Sequence, residues 1–241
     1  MISVIVPVYN ERENIESLIQ ELMSAAKTAD ISEIIYVDDG SSDDSLQILS
    51  DLRTNCPLLR VIKHEVRAGQ SAAFLSGVKA AGNKIVVLMD GDGQNDPADI
   101  ALLHKTFKEH EASCKKIMVA GQRAKRQDNF LRRISSRFAN KIRSAILNDH
   151  IRDTGCSLKL IRREDYLNLP YFNHMHRFLP ALLIRDGVKI LTQDVSHRPR
   201  MRGTSKYGFW NRLWVGIVDL AGVRWLLARG VPKDFRNTEI L

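Results

Sequence analysis

Cysteine is scarce in this chain: its three residues, Cys56, Cys114 and Cys156, stand far apart and in no paired spacing. That leaves no signature of a zinc site or a redox dithiol, and the thiols read as reduced groups in a cytosolic protein. Long apolar runs are missing too. No segment reaches the ~20 uninterrupted apolar residues that a bilayer-spanning helix needs. The opening Ile2-Ser3-Val4-Ile5-Val6 carries no basic leader and is cut by Pro7 and Asn10-Glu11, so it reads as a first strand and not as a secretion signal. Neither familiar glycine-rich phosphate cradle occurs. There is no G-x-x-x-x-G-K-[ST] segment, and Gly91-x-Gly93 lacks the third glycine of a dinucleotide fingerprint. Internal repeats and low-complexity tracts are also absent.

What the chain has in excess is positive charge. The net charge is +8 and the pI near 9.5, which points to anionic partners such as nucleotides, phospholipid head groups or nucleic acid. At 241 residues it can bury a sizeable core, as one elaborated domain.

The first half alternates short Val/Ile-rich runs with amphipathic stretches. Ile2 to Val8, Glu33 to Val37, Leu59 to Lys63, Ile85 to Met89 and Lys116 to Ala120 are strand candidates. Between them Ile15, Leu18, Ile19, Leu22 and Met23 recur at helical spacing, as do Leu46, Leu49 and Leu52. This alternation predicts an α/β fold, doubly wound around a mainly parallel sheet, with ligands bound outside the carboxyl ends of the strands. The second half reads as irregular and basic. Arg132, Arg133, Arg137 and Lys141 lie opposite Leu131, Ile134, Phe138 and Ile142 on a helical wheel, and a second basic run, Arg198, Arg200, Arg202, Lys206 and Arg212, contains no acid.

Three acidic segments fall at predicted strand ends. Val86-Val87-Leu88-Met89-Asp90-Gly91-Asp92-Gly93-Gln94 delivers two carboxylates, one residue apart, to a loop, as a divalent-cation grip requires, and Pro97 then opens a helix. It is not an EF-hand, which needs glycine where Asn95 stands and glutamate where Ala101 stands. Tyr9-Asn10-Glu11 places a ring and a carboxylate beside the crevice, with Asn10 also a candidate helix cap. Asp38-Asp39-Gly40-Ser41 offers Ser41 or Ser42 as a cap, yet two adjacent aspartates exceed what capping needs. A carboxylate there could accept hydrogen bonds from a base imide or a ribose hydroxyl.

In order, Pro7-x-Tyr9-Asn10-Glu11, Val37-Asp38-Asp39-Gly40-Ser41 and Asp90-x-Asp92-x-Gln94-x-Asp96-Pro97 resemble the motifs of glycosyltransferase family 2, GT-A type. The resemblance implies a Rossmann-like GT-A domain that binds a nucleoside diphosphate sugar through Pro7, Tyr9, Glu11, Asp38, Asp39, Asp90, Gly91, Asp92 and Gln94. Mg²⁺ or Mn²⁺ would be held by Asp90, Asp92 and Gln94. Downstream, Gly121-Gln122-Arg123, Asp153-Thr154-Gly155, Arg177-Phe178-Leu179-Pro180 and Arg200-x-x-Gly203-x-Ser205-Lys206-Tyr207 resemble the polyprenyl-phosphate branch, of the dolichol-phosphate mannose synthase type. By that likeness Arg200 and Lys206 clamp the donor diphosphate, while Arg123, Arg133 and Ser135 hold the acceptor phosphate. Asp92 and Arg123 are then the residues expected at the reaction centre.

What the resemblance implies is an inverting, metal-dependent transfer of a sugar from a GDP- or UDP-sugar to a dolichyl- or undecaprenyl-phosphate acceptor, at the cytoplasmic membrane face. A lipid phosphate is already ionised and needs no general base, which fits Asp153 standing without a carboxylate neighbour. Residues 1–208 form the expected catalytic domain, with a nucleotide-sugar half to about 122 and an acceptor half from about 123. Residues 209–241 supply an amphipathic helix and tail.

As a helix, Leu213 to Ala228 spans roughly 24 Å, short of the ~30 Å hydrocarbon core. With Trp210, Trp214 and Trp225 it suits peripheral association with a membrane surface, or packing on the domain or in a homo-oligomer. Two rivals remain from the sequence: a family 2 enzyme acting on a saccharide or lipid hydroxyl, and a basic nucleic-acid-binding module. The second is disfavoured because the positive charge is segregated behind an acidic loop.

Overall fold

The computed structural model describes residues 1–123, 143–147, 149, 155–199 and 209–229, with side chains of the last segment from 216 onward. The alternation foreseen for the first half is present. Strands β1 (Ile2–Val8), β2 (Ile31–Asp38), β3 (Leu59–Lys63), β4 (Ile85–Leu88) and β5 (Ile117–Arg123) are separated by helices α1 (Arg12–Ala29), α2 (Ser45–Arg53), α3 (Gln70–Ala80) and α4 (Ile100–Glu111). β1 lies between β2 and β4 and runs parallel to both, while β3 extends the sheet beyond β2.

The second half is more regular than its sequence suggests. It adds β6 (Lys159–Arg162) and β7 (Lys189–Val195), completing a seven-stranded sheet in the order β3-β2-β1-β4-β6-β5-β7. β6 is antiparallel to both neighbours, β4 and β5, and β7 is parallel to β5. Helical residues 143–147 (α5), α6 (Arg163–Leu167), α7 (Leu179–Arg185) and α8 (Phe209–Ala228) complete the described α-helices, and a 3₁₀ turn, Met175–Arg177, precedes α7.

Because side chains alternate across a strand, β1 feeds two cores at once. Ile2, Val4, Val6 and Val8 pack with Ile15, Leu18 and Leu22 of α1 and Leu103 and Phe107 of α4. Ile5 faces the opposite layer with Phe74 and Val78 of α3, Tyr166 of α6 and Leu179 and Leu182 of α7. Covered on both faces, β1 and β4 are buried at every position, as their unbroken apolar runs require. The order reverses direction at β1, so the crevice beyond the carboxyl ends of β1 and β4 is the switch point where such sheets bind ligands.

Three local expectations change. Pro97 opens a short 3₁₀ turn, Pro97–Asp99, that precedes α4, and Asp96 caps that turn by accepting from the Ala98 amide at 3.0 Å. Asn10 does not cap α1. It adopts a left-handed backbone (φ 54°), and its side chain bonds the Ser42 amide and hydroxyl. Nor does Ser41 or Ser42 cap α2, which begins after Asp44; Ser41 Oγ instead accepts the Asn10 amide at 2.9 Å.

The last helix docks on the domain along one face. Val223 is buried in the α3–α7 layer with Leu220, Leu226 and Leu227 beside it, and Asp219 Oδ2 lies 3.1 Å from His174 Nδ1. The opposite face leaves Ile217, Val218 and Trp225 48%, 65% and 61% exposed. Among the described residues no helix is long and apolar enough to cross a membrane.

The contrast between two helical glycines tests this packing. A Cβ at Gly77 would sit 2.3 Å from Ile5 Cγ2 and 3.2 Å from Val37 Cγ2, whereas one at Gly222 meets nothing within 4 Å. Gly77→Ala is expected to lose about 1–3 kcal/mol of stability by overpacking. Gly222→Ala should gain up to about 1 kcal/mol from helix propensity. Urea unfolding of both variants reads the difference directly, and a neutral Gly77→Ala would contradict the α3–β1 contact.

Candidate active site

The three acidic strand ends converge at the switch point. Gly91 explains how closely: a Cβ there would lie 2.5 Å from Val8 Cγ1 and 3.1 Å from the Pro7 carbonyl, so the acidic loop is laid against the end of β1. Only a residue without a side chain allows that approach. Beside it, Glu11 accepts from Asn14 Nδ2 at 2.7 Å and its amide donates to Ser45 Oγ, which ties the start of α1 to the start of α2. The guanidinium of Arg67 stacks over the Tyr9 ring, 4.1 Å from its centroid.

The adjacent aspartates at the end of β2 have divided roles. Asp39 is buried and well engaged: its oxygens accept the amides of Ala68 and Gly69 at 2.8 Å each, and His64 Nδ1 lies 2.8 Å away. It therefore builds the loop between β3 and α3. Asp38 is equally buried, yet only its Oδ2 is engaged, by the Ser41 amide at 3.2 Å; its Oδ1 has no hydrogen-bond partner among the described residues. An orphaned buried carboxylate oxygen costs free energy unless a ligand donates to it.

The end of β4 is supported by its antiparallel neighbour. Because β6 runs opposite to β4, its first residues lie beside the carboxyl end of β4, with Leu88 paired to Lys159. Ser157 Oγ accepts the Asp90 amide at 3.2 Å and Asn95 Nδ2 at 2.7 Å. Lys159, buried, donates to the Cys156 carbonyl. On the other side Gln70, the first residue of α3, donates to Asp90 Oδ1 at 2.6 Å. Burial, and then the nearby Asp92 carboxylate, push Asp90 up to about 6. The same crowding favours a nearby positive charge, and Asp90, Asp92 and the Gln94 amide carbonyl would offer an all-oxygen set suited to Mg²⁺ or Mn²⁺. Among the described residues no three His, Cys, Asp or Glu side chains form a metal-holding group. A cation held here would complete its shell with ligand or water oxygens.

Beyond the acidic loop the chain following β7 returns to brace it. The Ser196 amide donates to buried Asp99 Oδ2 at 2.7 Å, and the Arg198 amide donates to the Gln94 carbonyl at 3.0 Å. Arg198, counted in the basic run, is a brace and not a free cation: its guanidinium pairs with Glu21 at 2.7 Å and Asp96 at 2.6 Å, which raises its already high pKa. Arg123 closes β5, paired in register with Val195. Arg133, Ser135, Asp153, Arg200 and Lys206 lie outside the described residues.

Several site residues carried no sequence signal. Gln70, Ser71, Ser157, His176 and Arg67 belong to no acidic motif, and only the fold gathers them. Ser71 Oγ lies 2.7 Å from His176 Nδ1, and burial, with help from Lys159, Arg177 and His174, pushes His176 down to about 3. The imidazole is therefore a neutral hydrogen-bonding group near pH 7.

The raised pKa of Asp90 makes a signed prediction. Its proton is held more tightly in the folded chain than in the unfolded one, so ionised Asp90 costs stability above about pH 6, and that cost disappears as pH falls toward the ordinary aspartate value of 3.8. In EDTA, Asp90→Asn should melt above the parent at about pH 7.5, with the gap closing between about pH 6 and 4. A variant that melts below the parent at about pH 7.5 would contradict the crowding.

Comparison with known proteins agrees with this geometry. A family model described as Glycosyl transferase family 2 matches residues 3–169. The chain is 32% identical over 231 residues to a dodecaprenyl-phosphate galacturonate synthase of Rhizobium johnstonii, covering 94% of this chain and 67% of that one. It is 33% identical over 211 residues to an undecaprenyl-phosphate 4-deoxy-4-formamido-L-arabinose transferase of Pectobacterium carotovorum, covering 86% and 63%. The chain thus spans about two thirds of the length of these relatives. In structure it resembles glucosyl-3-phosphoglycerate synthase from Mycobacterium tuberculosis in complex with Mn²⁺, UDP and phosphoglyceric acid, with a TM-score of 0.67 at 19% identity over 96% of this chain and 79% of that one. A mannosyltransferase from Pyrobaculum calidifontis in complex with GDP-Man and Mn²⁺ superposes with a TM-score of 0.65 at 20% identity, covering 96% and 66%. Sheet order, acidic strand ends and relatives converge: the chain belongs to glycosyltransferase family 2, with a GT-A fold, and its relatives are polyprenyl-phosphate glycosyltransferases.

Proposed function

We propose that this protein transfers a sugar, with inversion, from a nucleoside diphosphate sugar to a polyprenyl phosphate at the cytoplasmic face of a membrane. The observation that carries the reading is the convergence of Tyr9, Asp38 and the Asp90–Gln94 loop at one switch point, in a chain similar along most of its length to enzymes named for polyprenyl-phosphate acceptors. The unpartnered Oδ1 of Asp38 supports a role as acceptor for a base imide or ribose hydroxyl. Tyr9, backed by Arg67, offers a flat surface for a base.

Asp90, Asp92 and Gln94 would hold Mg²⁺ or Mn²⁺, whose contribution is to neutralise the charge that grows on the departing diphosphate. Arg123 at the end of β5, with Arg133 and Ser135, would hold the acceptor phosphate in line with the anomeric carbon. No side chain has to remove a proton, because the phosphate is ionised near neutral pH. Arg200 and Lys206 follow Arg198, whose amide is tied to the acidic loop, and that anchorage supports their assignment to the donor diphosphate. The exposed Ile217, Val218 and Trp225 face of α8 would rest in the head-group region, giving access to a lipid acceptor.

The direct test is incubation of the full chain with Mn²⁺, a panel of labelled UDP- and GDP-sugars, and undecaprenyl phosphate or a water-soluble saccharide. The reading expects label in the organic phase, lost on Asp92→Ala. Label on the saccharide alone would assign a hydroxyl acceptor instead. Trp225→Asp should lower co-sedimentation with anionic liposomes while leaving Mn²⁺-dependent nucleotide binding intact; undiminished sedimentation would remove α8 from the membrane contact.

A further inference from the structure

Three consecutive residues where α3 begins each touch a different part of the crevice. The Gly69 amide, just before the helix, donates to Asp39 Oδ2; the Gln70 side chain donates to Asp90 Oδ1; Ser71 Oγ meets His176 Nδ1. Gly69 has φ 92°, which L side chains rarely adopt, so the turn that aims Gln70 depends on glycine there. Ser71 is fully buried. The helix start is thus fixed from both sides, by Asp39 and by His176, and Gln70 emerges from it already directed at the acidic loop.

A glutamine amide can approach a carboxylate only through its NH₂, so the 2.6 Å contact commits Asp90 Oδ1 as an acceptor in a defined orientation. The Asp90 backbone is held separately, through its amide on Ser157 Oγ. These contacts, with a side-chain hydrogen bond from Ser157 to the carboxylate, leave it little rotational freedom. We infer that Gln70 is a positioning residue for the metal: by holding Oδ1 it fixes the orientation of the Asp90 carboxylate that would bind the cation. The same helix start connects that carboxylate to Asp39, at the nucleotide end, and to the 173–177 loop.

This inference rests on the metal site of the proposed function, and the test separates the two. Mn²⁺ binding to the full chain is measured by electron paramagnetic resonance of the free ion, without any sugar transfer. Gln70→Met keeps the length of the side chain and removes the donor. The expected result is Mn²⁺ affinity weakened by about tenfold or more, the scale of outer-shell losses, with a distinctly smaller loss of metal-free stability from the donor that buried Asp90 gives up. Gln70→Ala should behave the same way. Wild-type affinity in both variants would overturn the inference while leaving the metal site standing. Loss of affinity matched by a comparable loss of metal-free stability in both would make Gln70 a packing residue, which also overturns it. A wild-type chain that binds no Mn²⁺ would instead remove the metal site itself.

Discussion

The carboxyl edge of the sheet depends on one buried acceptor, Asp39. Its carboxylate gathers two consecutive amides and an imidazole from the segment between β3 and α3. Charge-assisted bonds of this kind are roughly twice as strong as neutral ones, and here they fix where α3 begins. Gly40, with φ 70° and a Cβ position 2.9 Å from the Arg67 amide, lets the two loops lie against each other. Through that packing Arg67 reaches Tyr9, Gln70 reaches Asp90 and Ser71 reaches His176. A neutral or shorter side chain at position 39 would leave two buried amides without an acceptor.

That arrangement divides the adjacent aspartates at the end of β2. Asp39 serves the scaffold, and Asp38 keeps one oxygen without a hydrogen-bond partner among the described residues, as the proposed ligand role asks. A similar division holds in the acidic loop. Asp96 and Asp99 anchor the chain that returns after β7, through Arg198 and the Ser196 amide, while Asp90, Asp92 and Gln94 are the residues proposed to hold the metal. Acidic residues that look alike in the sequence are therefore separated by their neighbours into braces and those left to the proposed site.

The sequence disclosed the parallel half of the fold because β1 and β4 are covered on both faces, and complete burial leaves an unbroken apolar run. It concealed β6 because four residues beginning with Lys159 and ending with Arg162 do not resemble a buried strand. The fold makes Lys159 tolerable by giving its ammonium the Cys156 carbonyl. The acidic motifs were legible as motifs, but their division was not, since Asp38 and Asp39 differ only in tertiary partners. The basic run read as free positive charge because its acids lie elsewhere: Glu21 and Asp96 reach Arg198 across the fold. Gln70 and Ser71 gave no signal, because a helix's first polar residues ordinarily mean nothing more than a helix start.

The central claim is that these strand ends form one metal-dependent nucleotide site. Calorimetric titration of UDP and of GDP into the full chain, once with Mn²⁺ and once with EDTA, tests it most directly. The account predicts that at least one of the two binds in Mn²⁺ and that EDTA weakens it by about tenfold or more, or at least ~1.4 kcal/mol. Equal affinity in EDTA, or no binding of either nucleotide in Mn²⁺, would contradict it.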